Sequence, residues 1–269
     1  VYKRQLKAFM YSGAYRVPPP TLTGDVARDL YLVDPVIGIG EVAVSDHRGT
    51  QPSAEELRRL AGETQLGGIL GGAGGTVLVH VGDGDDRLQL LRETVEHSEL
   101  PARVLFPTHV NRSTALLDEA AERTLVGGFV DITVSTTPEL IAAGDIGATD
   151  ALRRLVEAGA SPSQITCSSD AGGSLPLYVD GQLKGLTAAE PSVLLALLMQ
   201  LHRQDSDLFP LALAAMTVNP AAALGLAGLG QLAVGADADF ILVDGDSGVV
   251  TDVCCGGRWL LRDGSVCSA

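Results

Sequence analysis

Short apolar runs of β type recur along the chain at 8–14, 36–44, 76–81, 104–108, 129–134 and 165–167. Between them lie stretches with helical spacing of apolar positions, at 53–66, 86–97, 113–124 and 149–158. Strands that are apolar on both faces and alternate with helices predict a parallel α/β sheet. Local signals agree with these helix limits: Ser53 followed by Glu56 has capping-box spacing, and Gly159 permits the left-handed backbone that ends a helix.

Polar residues gather at one end of these runs. Glu41 with Ser45-Asp46-His47-Arg48, His80-Val81-Gly82-Asp83, His109-Val110-Asn111-Arg112 and Ser168-Ser169-Asp170 lie within or just after successive strands. In a (β/α)8 barrel that end is where reactive groups collect, whereas a doubly wound sheet would concentrate them at one switch point. The prediction is a TIM-like α/β barrel over residues 1–225, comprising about strands 3–8. Two missing strands are expected to precede Val1. Helices at 190–203 and 208–218 follow the last strand, and the short β runs at 249–254 and 258–261 belong to a small C-terminal β region, 226–269.

Composition narrows the function. The chain has 269 residues, 46% of them hydrophobic, enough for one substantial core. Its 33 acidic and 19 basic residues give a net charge of −14, which repels phosphate backbones and anionic lipid and argues against nucleic-acid and membrane partners. No apolar run approaches the ~20 residues of a bilayer span, so a cytoplasmic location is expected. Cys167, Cys254, Cys255 and Cys267 have neither metal-binding nor disulfide-framework spacing and read as reduced thiols. The glycine-rich stretch 67–75 ends a helix and precedes a strand, the reverse of a phosphate loop, and reads as a flexible connection.

His80, His109 and Asp170 stand at the ends of three different strands. Imidazole and carboxylate suit borderline divalent metals, and convergence from separate strands builds a rigid site with an open position. Any one such histidine is more often a satisfied core or loop residue; three groups at three strand ends favour a metal. His97 and His202 lie in charged helical segments and read as surface residues. Arg48 and Arg112, also near strand ends, have the forked geometry that grips carboxylates, which suits a doubly carboxylated substrate. Either arginine alone fits an ordinary salt bridge equally well.

Several motifs make the chain resemble the isoaspartyl (β-aspartyl) dipeptidases of the amidohydrolase superfamily. They are Ser12-Gly13-Ala14-Tyr15, Ser45-Asp46-His47-Arg48, Val79-His80-Val81-Gly82-Asp83, Pro107-Thr108-His109-Val110-Asn111-Arg112 and Ser168-Ser169-Asp170-Ala171-Gly172-Gly173-Ser174. The tail Gly235-Ala236-Asp237-Ala238-Asp239-Phe240 resembles the wider superfamily. The resemblance implies a divalent-metal enzyme, with zinc as the metal and two ions in the full-length protein, that hydrolyses small β-aspartyl peptides as a homo-oligomer. It implies that His80 and His109 ligate one ion and Asp170 the other, with Asp170 also the general acid-base. Tyr15 would bind the oxyanion, while Arg48, Arg112 and Ser174 would hold substrate carboxylates.

This chain departs from the family pattern at two places. The His-x-His motif of the first barrel strand is absent, which is why the chain is expected to be a fragment that is inactive alone. Where the family has a bridging carboxylated lysine, alignment through Ser45-Asp46-His47-Arg48 puts Glu41. Glu41 then bridges two metals, serves a single metal, or is a buried structural carboxylate. Other amidohydrolase activities, such as N-acyl amino acid deacetylation or cyclic amide hydrolysis, are the alternatives, together with an inactive barrel acting as a binding subunit.

Overall fold

The computed structural model describes residues 6–49, 51–72, 74–179 and 182–267. Six parallel strands succeed one another with helices between them: β1 (Met10–Ser12), β2 (Val36–Val44), β3 (Thr76–Val81), β4 (Leu105–Thr108), β5 (Val130–Thr133) and β6 (Ile165–Ser168). All six coincide with apolar runs in the sequence. The intervening helices are α1 (Val26–Leu32), α2 (Ala54–Gly71), α3 (Gln89–Glu96), α4 (Thr114–Leu125), α5 (Pro138–Ala143) and α6 (Ala148–Glu157). The fold is TIM-barrel-like.

Alternation along each strand divides the side chains between two environments. Ile39, Val42 and Val44 of β2, Val77, Val79 and Val81 of β3, and Ile132 of β5 join one apolar core with Leu57 and Leu60 of α2, Leu91 of α3, Leu117 of α4 and Leu152 and Leu155 of α6. The opposite faces carry the chemistry. Leu78 and Phe106 form a smaller apolar cluster with Phe129 and Ala223, and His80, Thr108, Asp131, Thr133, Thr166 and Ser168 alternate with the core residues further along the strands.

Backbone ladders join β1-β2-β3-β4 in one sheet and β5-β6 in another, so among the described residues β4 and β5 share no ladder. Side chains stitch that seam. The Asn111 carboxamide accepts from Thr133 N–H at 2.9 Å and donates to the Thr133 carbonyl at 3.1 Å, the two bonds a neighbouring peptide would make.

The chain continues into an antiparallel hairpin, β7 (Ser174–Val179) with β8 (Gln182–Ala188), then helices α7 (Val193–Gln204), α8 (Phe209–Met216) and α9 (Val218–Ala223). It ends in an antiparallel sheet ordered β12 (Ser265–Val266), β11 (Arg258–Arg262), β10 (Val250–Cys255), β9 (Phe240–Val243). The hairpin, α1 and α5 are absent from the helices and strands expected from the sequence. β8 is exposed throughout, so no apolar alternation marks it.

The glycine-rich stretch requires a correction. It is not simply a connection after a helix, because α2 runs on through Gly67 and Gly68 to Gly71. A Cβ at Gly67 would lie 2.9 Å from the Ala27 backbone, and one at Gly68 would lie 2.5 Å from Gly75 Cα. These glycines let α2 press against α1 and against the entry to β3. The Ser53–Glu56 capping box is present, with reciprocal bonds between the two residues. The four cysteines are free thiols. No helix among the described residues is long and apolar enough to cross a membrane.

Candidate metal centre

The ends of two strands converge on Glu41, which lies within β2. His80 sits near the end of β3, His109 directly follows β4, and one donor atom from each of Glu41, His80 and His109 lies within 4.8 Å of the others. Glu41 Oε2 is 3.2 Å from His80 Nδ1, and Oε1 is 3.5 Å from His109 Nε2. Both histidines are buried, and Glu41 is partly so. Burial opposes charge on Glu41, but hydrogen bonds from His109 and His80 outweigh it and hold the carboxyl well below the usual range.

The far nitrogen of each imidazole is anchored. His80 Nε2 lies 3.0 Å from Asp46 Oδ2, and His109 Nδ1 lies 2.5 Å from Thr133 Oγ1. Such outer partners orient a ligating ring and set its tautomer. A cation facing His80 Nδ1 requires the lone pair there, which puts the ring proton on Nε2, where Asp46 accepts it. The Arg48 guanidinium, 2.8 Å from the same Nε2, then acts by charge and contact rather than as a donor to the ring.

The donor set fits a divalent cation. Imidazole nitrogen and carboxylate oxygen are ligands such a cation takes at about 2.0–2.2 Å, and Glu41 turns a separate oxygen to each ring, Oε2 to His80 and Oε1 to His109.

Around the centre stand groups of the opposite charge. Arg112 Nη2 is 3.4 Å from His80 Nε2. Arg48 lies over the Tyr15 ring, 5.8 Å from its centroid, and the Tyr15 ring meets the His80 ring edge-on at 5.1 Å. Desolvation, and then the Glu41 charge, push the Tyr15 phenol upward, so it remains protonated and able to donate.

Asp170 does not join the trio among the described residues. It follows β6 in left-handed backbone (φ 51°), and its carboxylate packs over Gly173, where an added Cβ would lie 2.5 Å from Oδ2. Ser174 opens the β7–β8 hairpin and is exposed. Ser45 (φ 51°) and His109 (φ 64°) share the left-handed backbone of Asp170, so the ends of β2, β4 and β6 all carry this geometry. Each instance costs on the order of 1 kcal/mol, a cost typically tolerated at functional sites.

The sequence alone gave Asp46 no role beyond its place in Ser45-Asp46-His47-Arg48. Its side chain is fully buried and holds Arg48 by Nε→Oδ1 at 3.0 Å and Nη2→Oδ2 at 2.8 Å. A carboxylate two residues before a strand-end arginine was the available signal. Thr133 and Asn111 were also missed, because their roles depend on the β4–β5 seam.

The amidohydrolase family model matches residues 134–260. A β-aspartyl dipeptidase from the thermophilic, keratin-degrading Fervidobacterium islandicum AW-1, crystallised with β-Asp-Leu dipeptide, is 37% identical at a TM-score of 0.85, covering 97% of this chain and 68% of that one. A second structure of β-aspartyl dipeptidase from that organism is 34% identical at a TM-score of 0.83, covering 97% of this chain and 66% of that one. The chain thus spans about two-thirds of the length of these relatives. An enamidase, at 17% identity, a TM-score of 0.54 and coverage of 84% of this chain and 55% of that one, shares the fold. With a relative this similar over nearly its whole length, the chain belongs to the β-aspartyl dipeptidases of the amidohydrolase family and is a hydrolase.

Proposed function

We propose that the intact protein hydrolyses the isopeptide bond of β-aspartyl dipeptides, with a divalent metal held by Glu41, His80 and His109. The observation that carries this reading is the buried trio of donors ringed by two arginines and a protonated tyrosine. A bound divalent ion supplies Lewis acidity, polarising the amide carbonyl and making a water molecule acidic near neutral pH. Arg48 and Arg112 bind the substrate's carboxylates, and the acidic partner of Arg48 keeps its fork aimed. The Tyr15 hydroxyl donates to the carbonyl oxygen as it gains charge. Asp170 takes the proton of the attacking water and passes it to the leaving amine, and Ser174 contributes a further contact to a substrate carboxylate. Glu41 needs no carbon dioxide to become a carboxylate, so it serves where a lysine would require carboxylation.

The same reading takes zinc as the metal, two ions in the intact protein, the cytoplasm as the compartment and a homo-oligomer as the assembly. It divides the chain into a barrel portion, 1–225, and a β region, 226–269. The test is hydrolysis by the full-length protein of β-Asp-Leu against α-Asp-Leu, before and after chelation. Strong preference for the β-linked peptide, lost on chelation and restored by Zn2+, is expected. Equal turnover of the two isomers defeats the substrate assignment, and full activity after metal removal defeats the metal.

A further inference from the structure

The centre of the strand bundle holds a carboxylate for which the proposed reaction has no use. Asp131 on β5 is 4% exposed and accepts three hydroxyl hydrogen bonds. Thr108 Oγ1 and Ser168 Oγ donate to Oδ2 at 2.8 and 2.6 Å, and Thr166 Oγ1 donates to Oδ1 at 2.7 Å. A buried carboxylate is costly unless its acceptor sites are filled, and here every donor comes from a neighbouring strand.

Those donors stand at informative places. Thr108 ends β4 and directly precedes His109, while Ser168 ends β6, two residues before Asp170. The bond from Thr108 also crosses the seam where β4 and β5 have no backbone ladder. Without a ladder, side chains must set the spacing and slide of β4 against β5. Next along the seam, His109 Nδ1 contacts Thr133 Oγ1, so the orientation of His109 depends on that spacing. We infer that Asp131 is a positioning residue that acts through Thr108, fixing the strand end that carries His109 so that its Nε2 faces Glu41.

This inference rests on the proposed metal centre, and its test separates the two. Zn2+ affinity, by competition with a chromophoric chelator, and the visible absorption of the Co2+-substituted protein are measured on the full-length protein and its variants. Asp131→Asn keeps the shape but replaces one acceptor oxygen by a donor. It should weaken Zn2+ binding on the order of ten-fold and change the Co2+ spectrum. Thr108→Val should reproduce both effects, Thr108→Ser should keep the wild-type affinity and spectrum, and the double variant Thr108→Val/Asp131→Asn should lose little beyond either single change. Asp29→Asn, which alters an equally buried carboxylate bonded to β1, should lose stability and keep both metal readouts. Wild-type protein that binds neither ion overturns the metal centre itself. Wild-type protein that binds them, with Asp131→Asn or Thr108→Val unchanged in affinity and spectrum, or with strictly additive effects, overturns the role of Asp131. If Asp131→Asn does not fold, the Thr108 pair decides.

Discussion

Asp46 and Arg48 form a closed fork two residues apart: both carboxylate oxygens meet the guanidinium, at 3.0 and 2.8 Å, and Oδ1 also accepts the Arg48 backbone N–H at 2.7 Å. The Arg48 guanidinium holds the Asp46 carboxyl well below the usual range. Since Oδ2 also meets His80 Nε2, one buried carboxylate holds both Arg48, the proposed substrate-binding group, and His80, the proposed metal donor. Asp46→Asn keeps the shape and removes the charge, weakening a charge-assisted pair worth about 1.5–3 kcal/mol. The expected result is KM for β-Asp-Leu raised roughly ten-fold or more, with weaker zinc binding. Steady-state kinetics and zinc titration check it, and wild-type values for both would remove Asp46 from the site.

Glu41 gives a second prediction. Its two oxygens face two imidazoles, so Glu41→Gln removes the one negative charge in the trio and presents an amide to one ring. Metal content should fall sharply, and activity with it. The parent protein, with no lysine to carboxylate at this position, should hold its zinc equally well in bicarbonate-free buffer and in added bicarbonate. Metal analysis checks both points; bicarbonate-dependent zinc content in the parent protein would contradict the role given to Glu41.

Asp29 concerns stability rather than the site. Its fully buried carboxylate accepts from Ser12 Oγ at 2.6 Å and from Leu22 N, Thr23 N and Thr23 Oγ1, each at 2.8 Å, tying the segment after β1 to α1. Burial opposes the charge, but the donors led by Ser12 outweigh it, and the folded pKa lies below 3.8. A carboxyl with a depressed folded pKa stabilises fully above its unfolded value of about 4, and that contribution fades as pH falls through the folded pKa. Asp29→Asn should cost about 2–3 kcal/mol at pH 7, lowering Tm by roughly 5–10 °C. The gap between wild type and variant should narrow below pH 4. Denaturant titrations from pH 3 to 7 check this, and a gap that widens on acidification would refute it.

By itself, the sequence determined the six strands and most of their helices. Residues alternating between a helix-covered face and an inner face leave a period that survives in one dimension, as Val77, Val79 and Val81 around Leu78 and His80 illustrate. It also singled out His80 and His109, because a polar side chain at the end of an otherwise apolar strand is conspicuous, whereas Glu41, inside β2, was reached as a site residue only through the family resemblance. Only the tertiary structure decided how α2 crosses its glycines, since that depends on the approach of Ala27 and Gly75. It alone revealed the exposed β7–β8 hairpin, which has no buried face to leave a pattern. The grip of Asp46 on His80, the stitching of Thr133 by Asn111 and the three hydroxyls on Asp131 join residues 22 to 37 positions apart. Such pairings follow from which strands lie side by side and in what register, and local periodicity carries no record of that.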